Sequence, residues 1–165
     1  MRSARVISQS LLALTEPRIV ELLLVTAIPA MLVAQRGLPP VRVVLVTLAA
    51  GALAAGSANT INNYAGHRIG PRPRAGNGRL PLITPAQTLA FGIALGAAAT
   101  VLLGLLASWL SAAVADASIA VFVFICTLRL RRGSAPGIVF GGATGGFPVL
   151  VGWSAVTGTL SLRAV

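Results

Sequence analysis

Long apolar runs separated by short polar segments constrain this chain more than any other feature of its sequence. Only 10% of the residues are charged and 56% are hydrophobic, whereas soluble domains carry about 25% charge. A helix of about 20 apolar residues spans the hydrocarbon core of a bilayer. The sequence therefore predicts an all-α, polytopic membrane helical bundle, with a single membrane domain over residues 1–165, rather than a soluble bundle. Five runs fit, at about Ile19–Gln35, Val43–Tyr64, Ala86–Leu106, Ala112–Leu128 and Ile138–Val156.

The charges predict an orientation for these five spans. The net charge of +10 comes from thirteen arginines and three acids. Ten arginines precede the first run or lie between runs two and three or four and five, and three lie in the other polar segments. Because basic segments stay in the cytoplasm, we expect a multi-pass protein of the cell (inner) membrane with a cytoplasmic N-terminus. The expected partner is the lipid bilayer and not nucleic acid, because the arginines are interleaved with apolar runs.

The segment Ala58–Pro81 carries the densest polar chemistry of the chain. Asn59, Asn62 and Asn63 fall on one face of a helix. These amides can hold a polar ligand or hydrogen-bond between helices, and we favour the second role from spacing alone. The segment contains four arginines and no acid. Guanidinium groups match phosphate oxygens, and Arg79 is the best placed of them to bind a diphosphate, although topology alone also explains these arginines.

Two acids lie in or beside apolar runs, where a carboxylate is costly unless it is paired or functional. Glu21 has Arg18 three residues earlier as a partner. Asp116 has no evident partner, and we expect it to be solvated at the membrane interface. His67 has no second histidine or acid nearby and predicts no metal site. Cys126 is the only cysteine, so the chain forms no intrachain disulfide.

Three segments together resemble the haem O synthase (protoheme IX farnesyltransferase) family of the UbiA superfamily of intramembrane prenyltransferases. ALTEPRIVELLLVTAIPAML resembles that family's first helix, GALAAGSANTINNY its second, and RLRRGSAPGIVFGGATGGFPVLVGWSAVTGTLSL its fourth connection and fifth helix. The resemblance runs from about Leu12 to Leu162. It implies a bundle of about nine membrane helices, of which this chain has about five, corresponding to the N-terminal part.

The resemblance also implies a reaction. Members transfer the farnesyl group of farnesyl diphosphate to a vinyl group of haem B, and aspartates after the second helix hold Mg²⁺ against the diphosphate. The motif Asn-x-x-x-Asp-x-x-x-Asp begins here at Asn62, but Gly66 and Gly70 stand where the family has aspartate. Arg131 and Arg132 match a basic pair that follows the fourth helix. The resemblance thus implies substrate-binding roles for Asn62, Arg79, Arg131 and Arg132, no assigned catalytic residue, and no metal ligands at the first motif.

The family pattern breaks between Ala65 and about Pro85 and resumes afterwards. A pair of compensating frameshifts is one hypothesis for so local a break. We expect a truncated homologue, a prenyltransferase of haem O biosynthesis by resemblance, that is not catalytically competent alone. The alternatives are another UbiA-type prenyltransferase acting on a quinone precursor, and a non-catalytic membrane remnant or assembly partner.

Overall fold

A computed structural model describes residues 17–69, 84–128 and 146–160. Every regular element in these ranges is an α-helix, which confirms the all-α prediction. The helices are α1 (Pro17–Gln35), α2 (Val41–Ile69), α3 (Pro85–Leu106), α4 (Trp109–Leu128) and α5 (Phe147–Thr157). The first four coincide with the first four predicted runs. The predicted start of the fifth run, at Ile138, lies outside the described residues, and α5 is described from Phe147 onward.

Two of the described helices are long and apolar enough to cross a membrane: Val41–Ala65 within α2 and Pro85–Leu106, which is α3. The apolar stretches Leu24–Gln35, Trp109–Phe124 and Phe147–Thr157 are shorter. In the described part of the chain, the length criterion for spanning is therefore met by two of the five predicted spans. The other three remain apolar helices packed beside them.

One boundary differs from the sequence-based expectation. The second run was expected to end near Tyr64, yet α2 continues to Ile69. The polar segment thus starts as helix, because no proline interrupts it before Pro71. The helix consequently includes Gly66, which the predicted run did not reach.

Side-chain caps start two of the helices. Thr84 forms a reciprocal capping box with Gln87. The backbone N–H of Gln87 donates to Thr84 Oγ1 (3.3 Å), and the backbone N–H of Thr84 donates to Gln87 Oε1 (2.9 Å). Pro85 follows, where its missing N–H leaves no hydrogen bond unmade. The Ser111 amide donates to Ser108 Oγ (3.1 Å) at the start of α4. Two residues therefore suffice to join α3 to α4.

Successive helices run in alternating directions, so their ends sort into two groups. The connection 36–40, the turn 107–108 and residues 158–160 lie at one end of the bundle, where Ser108 Oγ donates to the Ser154 carbonyl (3.0 Å). The C-terminal end of α2, the start of α3 and the end of α4 lie at the other. Both predicted basic segments are therefore flanked by described residues at the same end, as the charge pattern requires.

Small residues bring α2 and α3 into close contact. Ser57 Oγ donates to the Gly92 carbonyl across the interface (2.7 Å). A Cβ at Gly92 would lie 2.7 Å from Ile61 Cγ1, and one at Gly96 would lie 2.9 Å from Ser57 Oγ. Small residues at these positions thus allow the two helix backbones to approach closely, as in other membrane bundles. Gly152 gives α5 the same access to α1, since a Cβ there would lie 2.9 Å from the Ala27 carbonyl oxygen.

Candidate functional site

An apolar cleft opens between α1, α2, α4 and α5 on the side of α2 that faces away from α3. It encloses about 740 Å³, including its open mouth. Its fifteen lining residues, given helix by helix, are Leu24 and Ala27; Thr47, Gly51, Ala54, Ala55, Ala58 and Asn59; Ala115, Ser118, Ile119 and Phe122; Phe147, Pro148 and Val151. The cleft therefore has the apolar walls of a site for a hydrocarbon chain.

By helix, α1 supplies two of these lining residues, α2 six, α4 four and α5 three. The lining residues of α2 run from Thr47 to Asn59, which is about 18 Å along a helix axis. The cleft is thus a long groove parallel to α2, with α3 taking no part in its lining.

The two ends of the cleft differ in polarity. Asn59 is only 6% exposed and lies at the end nearest the polar segment. Thr47, which is 2% exposed, lies toward the other end. Its hydroxyl has no hydrogen-bond partner among the described residues, although a threonine in a helix commonly bonds to a backbone carbonyl one turn earlier. Between these two residues the α2 lining consists of glycine and alanine.

Asn62 extends the lining face of α2 beyond the cleft. It follows Ala55 by seven residues and Ala58 by four, so the three share one face of the helix. It is half-buried. Gly66 follows one turn later on the same face and carries no side chain. The predicted amide face is therefore confirmed as a helical surface, and it continues the apolar cleft toward the basic end of the bundle.

The other predicted site residues are not placed by the structure. Arg79, Arg131 and Arg132 lie outside the described residues, and so does Gly70. Their nearest described neighbours, Thr84 and Leu128, are at the end of the bundle where α2 carries its asparagines. Substrate-binding roles for these arginines stay predictions.

A metal ion does not fit the described part of this site. Mg²⁺ takes oxygen ligands, preferably carboxylates, and Gly66 offers none from a side chain. No group of three or more His, Cys, Asp or Glu residues capable of holding a metal occurs among the described residues. The cleft and Asn62 therefore provide a place for an apolar chain and a polar group, without carboxylates between them.

The structure corrects the expectation for Asp116. The sequence showed no evident partner for this residue, but Thr100 Oγ1 on α3 donates a hydrogen bond to its Oδ1 at 2.7 Å. The signal was present in the sequence as a hydroxyl and a carboxylate equidistant from the turn between α3 and α4. Glu21 is exposed, and the side chain of its expected partner Arg18 lies outside the described residues, as do the side chains of His67 and Cys126.

Sequence reasoning missed the residues that close the cleft. Phe122, Phe147 and Pro148 lie in two different runs, and no periodicity within one run indicates that they meet. Thr47 was missed as well, although a hydroxyl among apolar residues, twelve positions before Asn59, was a usable signal.

Comparison with known proteins assigns this bundle to a family, since residues 23–165 match the UbiA prenyltransferase family. The chain belongs to that family. It is 51% identical over 157 residues to a protoheme IX farnesyltransferase of Frankia casuarinae, covering 93% of this chain and 54% of that protein. It is 42% identical over 161 residues to the protoheme IX farnesyltransferase of Streptomyces avermitilis, covering 95% of this chain and 52% of that protein.

A third relative, protoheme IX farnesyltransferase 1 of Saccharopolyspora erythraea, is 47% identical over 158 residues, which cover 93% of this chain and 50% of that protein. The chain thus spans about half the length of the curated relatives it matches. No solved structure matches it significantly. Membership of the family confirms the predicted polytopic membrane architecture and the predicted resemblance.

Proposed function

We propose that this protein belongs to haem O biosynthesis and contributes the isoprenoid-binding portion of a farnesyltransferase. In this proposal the cleft beside α2 holds the farnesyl chain of farnesyl diphosphate, and the diphosphate lies beyond Asn59, toward Asn62. The acceptor is haem B. The observation that carries the proposal is the cleft itself, an apolar groove of about 18 Å along α2 that ends at an amide-bearing, arginine-flanked end of the bundle.

The chemistry requires that the allylic C–O bond breaks, that the diphosphate leaves with the bonding electron pair, and that the vinyl π electrons of haem B form the new carbon–carbon bond. Water then captures the cation left on the former vinyl group and releases a proton, which leaves the hydroxyl group of haem O. Apolar walls such as Ile119 and Phe122 exclude water that would otherwise capture the allylic cation. Asn62 can donate its amide N–H groups to a diphosphate oxygen. Arg79, Arg131 and Arg132 are proposed to stabilise the charge on the leaving group.

Mg²⁺ is the expected cofactor of this family, but the described residues do not supply its ligands. The family's two aspartate positions hold Gly66 and Gly70 in this chain. We therefore propose that the chain binds the isoprenoid diphosphate through amide and guanidinium groups, and that it does not catalyse transfer on its own.

We also propose an orientation in the cell membrane with the N-terminus and both basic segments in the cytoplasm. The arginine distribution supports it, and so does the position of Ile69, Thr84 and Leu128 at one end of the bundle. In the same way we propose that the chain is one membrane domain, corresponding to the N-terminal part of its longer relatives.

Photolabelling tests the placement of the farnesyl chain. The purified chain in lipid nanodiscs is irradiated with a farnesyl diphosphate analogue whose terminal isoprene unit carries a photoreactive group. We expect labelling of peptides that contain cleft residues of α2 and α4, and loss of that labelling when unmodified farnesyl diphosphate is added. Labelling confined to outward-facing residues such as Val33 and Leu105, or labelling that farnesyl diphosphate does not reduce, would refute the proposal.

An activity measurement tests the proposal that the chain does not catalyse transfer on its own. The purified chain, supplied with farnesyl diphosphate, haem B and Mg²⁺, is expected to form no haem O, as measured by chromatography of extracted haems. Clear product formation would contradict the claim that the missing carboxylates matter. Transfer to a quinone precursor, with none to haem B, would replace the proposed acceptor.

A further inference from the structure

The outward face of α4 differs from an ordinary lipid-facing surface. Its exposed residues follow one stripe at spacings of three and four residues: Trp109, Ala113, Asp116, Ala120 and Phe124. The exposed stripe of α1 contains Val25, Ile28, Leu32 and Val33. Large apolar side chains suit lipid, whereas a carboxylate set among alanines does not.

Asp116 lies well inside the apolar part of α4. It is the eighth residue of a helix that starts at Trp109, so it lies about 10 Å from the helix start, within the apolar stretch Trp109–Phe124. Carboxylates within apolar membrane helices usually face a protein interior or a cavity and are paired. Yet Asp116 is exposed in the described bundle. Direct contact with lipid is therefore an unfavourable state for this face.

The hydrogen bonding of Asp116 is also incomplete within the described residues. Thr100 Oγ1 lies 2.7 Å from Asp116 Oδ1 and 2.9 Å from the Gly96 carbonyl oxygen. A hydroxyl has one proton, so Thr100 divides its single donor between two acceptors. An ionised carboxylate has about four acceptor sites. Asp116 consequently retains capacity for at least one strong donor from outside the described bundle.

The alanines beside Asp116 leave room for that donor to approach. Ala113, Ala117 and Ala120 are exposed around it, and residues of this size let two helix backbones pack closely in a membrane. Trp109 and Phe124 bound the stripe, at 67% and 64% exposure. The result is a shallow apolar surface with one anionic acceptor near its centre.

We propose that this face binds a membrane-spanning helix that presents a hydrogen-bond donor, cationic or amide, at the depth of Asp116. Charge complementarity decides between the candidate occupants. A second copy joined through the same face would set Asp116 against Asp116, two acceptors of like charge. Lipid chains offer no donor at all. The proposal does not depend on the function assigned to the cleft, because the stripe and the cleft are on different sides of α4.

A peptide-binding experiment tests this proposal. The full chain, with a fluorophore at its N-terminus, is placed in lipid nanodiscs with a labelled poly-leucine transmembrane peptide that carries one arginine about 10 Å from one end. Energy transfer reports association. We expect the arginine peptide to bind about tenfold more tightly than a poly-leucine peptide without arginine, a difference typical of a strong interhelical hydrogen bond.

Variants of the chain separate the roles of charge and packing. Asp116→Leu should remove the preference for the arginine peptide, and Asp116→Asn, which keeps an acceptor oxygen but no charge, should retain part of it. Circular dichroism checks that both variants keep the helix content of the unmodified chain. Equal binding of the two peptides by the unmodified chain, or a preference that survives Asp116→Leu, overturns the proposal. So does self-association of the chain that Asp116→Leu abolishes, since the occupant would then be a second copy.

Discussion

The two faces of α2 are built from the same kinds of residue, but one packs closely against its neighbour and the other borders an open cleft. The face toward α3 is closed: Ser57 donates to the Gly92 carbonyl at 2.7 Å, and no side chain could be added at Gly92 without displacing Ile61. The face toward α4 and α5 is open, although Gly51, Ala55 and Ala58 are as small. Small residues on one helix therefore do not decide whether a contact closes.

The residues on the neighbouring helices decide whether the contact closes. Opposite the closed face, α3 presents glycine and alanine, so the two backbones come together. Opposite the open face, Phe122 of α4 and Phe147 of α5 line the cleft, and we attribute the space between the helices to these two rings. A small face against a small face makes a structural interface, and a small face against aromatic residues makes a groove. Structure and binding are thereby assigned to opposite sides of one helix.

The largest effect is expected from filling the closed face. Gly92→Leu forces a side chain against Ile61 and Thr60. Overpacking of this kind lowers the free energy of unfolding by about 1–3 kcal/mol. Thermal unfolding in detergent, followed by loss of helical circular dichroism, should show a clearly lower midpoint. Gly37→Leu is the matched control, since nothing lies within 4 Å of a Cβ at that position. Equal midpoints for the two variants would mean that the α2–α3 contact is not closed as described.

A bulky residue on the open face should affect binding and leave folding intact. Ala55→Phe projects a ring into the cleft, and we expect at least about tenfold weaker binding of farnesyl diphosphate with an unchanged unfolding midpoint. Ala49→Phe makes the same change on an exposed position of the same helix and should leave binding unaltered. If Ala55→Phe lowers the midpoint as much as Gly92→Leu does, the distinction between the two faces fails.

At Thr47 we expect a smaller change in the unfolding midpoint, and this change is an increase. Its buried hydroxyl has no partner among the described residues, and a buried polar group without a hydrogen bond costs about 1–3 kcal/mol. Thr47→Val keeps the shape and should raise the unfolding midpoint. Thr60 is equally buried, but its Oγ1 donates to the Gly56 carbonyl at 2.7 Å, so Thr60→Val should not raise it. A midpoint that falls on Thr47→Val would indicate a hydrogen bond to that hydroxyl in the folded protein.

The helices could largely be predicted from the sequence, because membrane spans are apolar throughout and Thr84 and Pro85 mark where α3 begins. The family could be predicted too, since its segments flank the Asn62 region. The extension of α2 from Tyr64 to Ile69 was missed because the predicted run was ended where the sequence becomes polar. Polarity does not end a helix; a proline or a missing hydrogen bond does.

The cleft could not be predicted, because it depends on how separate helices pack, and the only signal for the Asp116–Thr100 pair was the similar distance of the two residues from the turn between α3 and α4. Phe122 and Phe147 meet only through tertiary structure, and apolar runs with little amphipathic character do not reveal which face is inward. Asn62 was predicted as a site residue from its motif, and the structure adds that it shares a face with the cleft. Whether it binds a diphosphate stays a prediction.

The central claim is that the open face of α2 binds an isoprenoid diphosphate without the metal site of its family, since Gly66 and Gly70 replace the aspartates. Its most direct test is the affinity of the purified chain for farnesyl diphosphate, measured in nanodiscs with excess Mg²⁺ and again with EDTA. We predict saturable binding with the same dissociation constant in both conditions. Binding that requires Mg²⁺, or no saturable binding in either condition, would contradict the account.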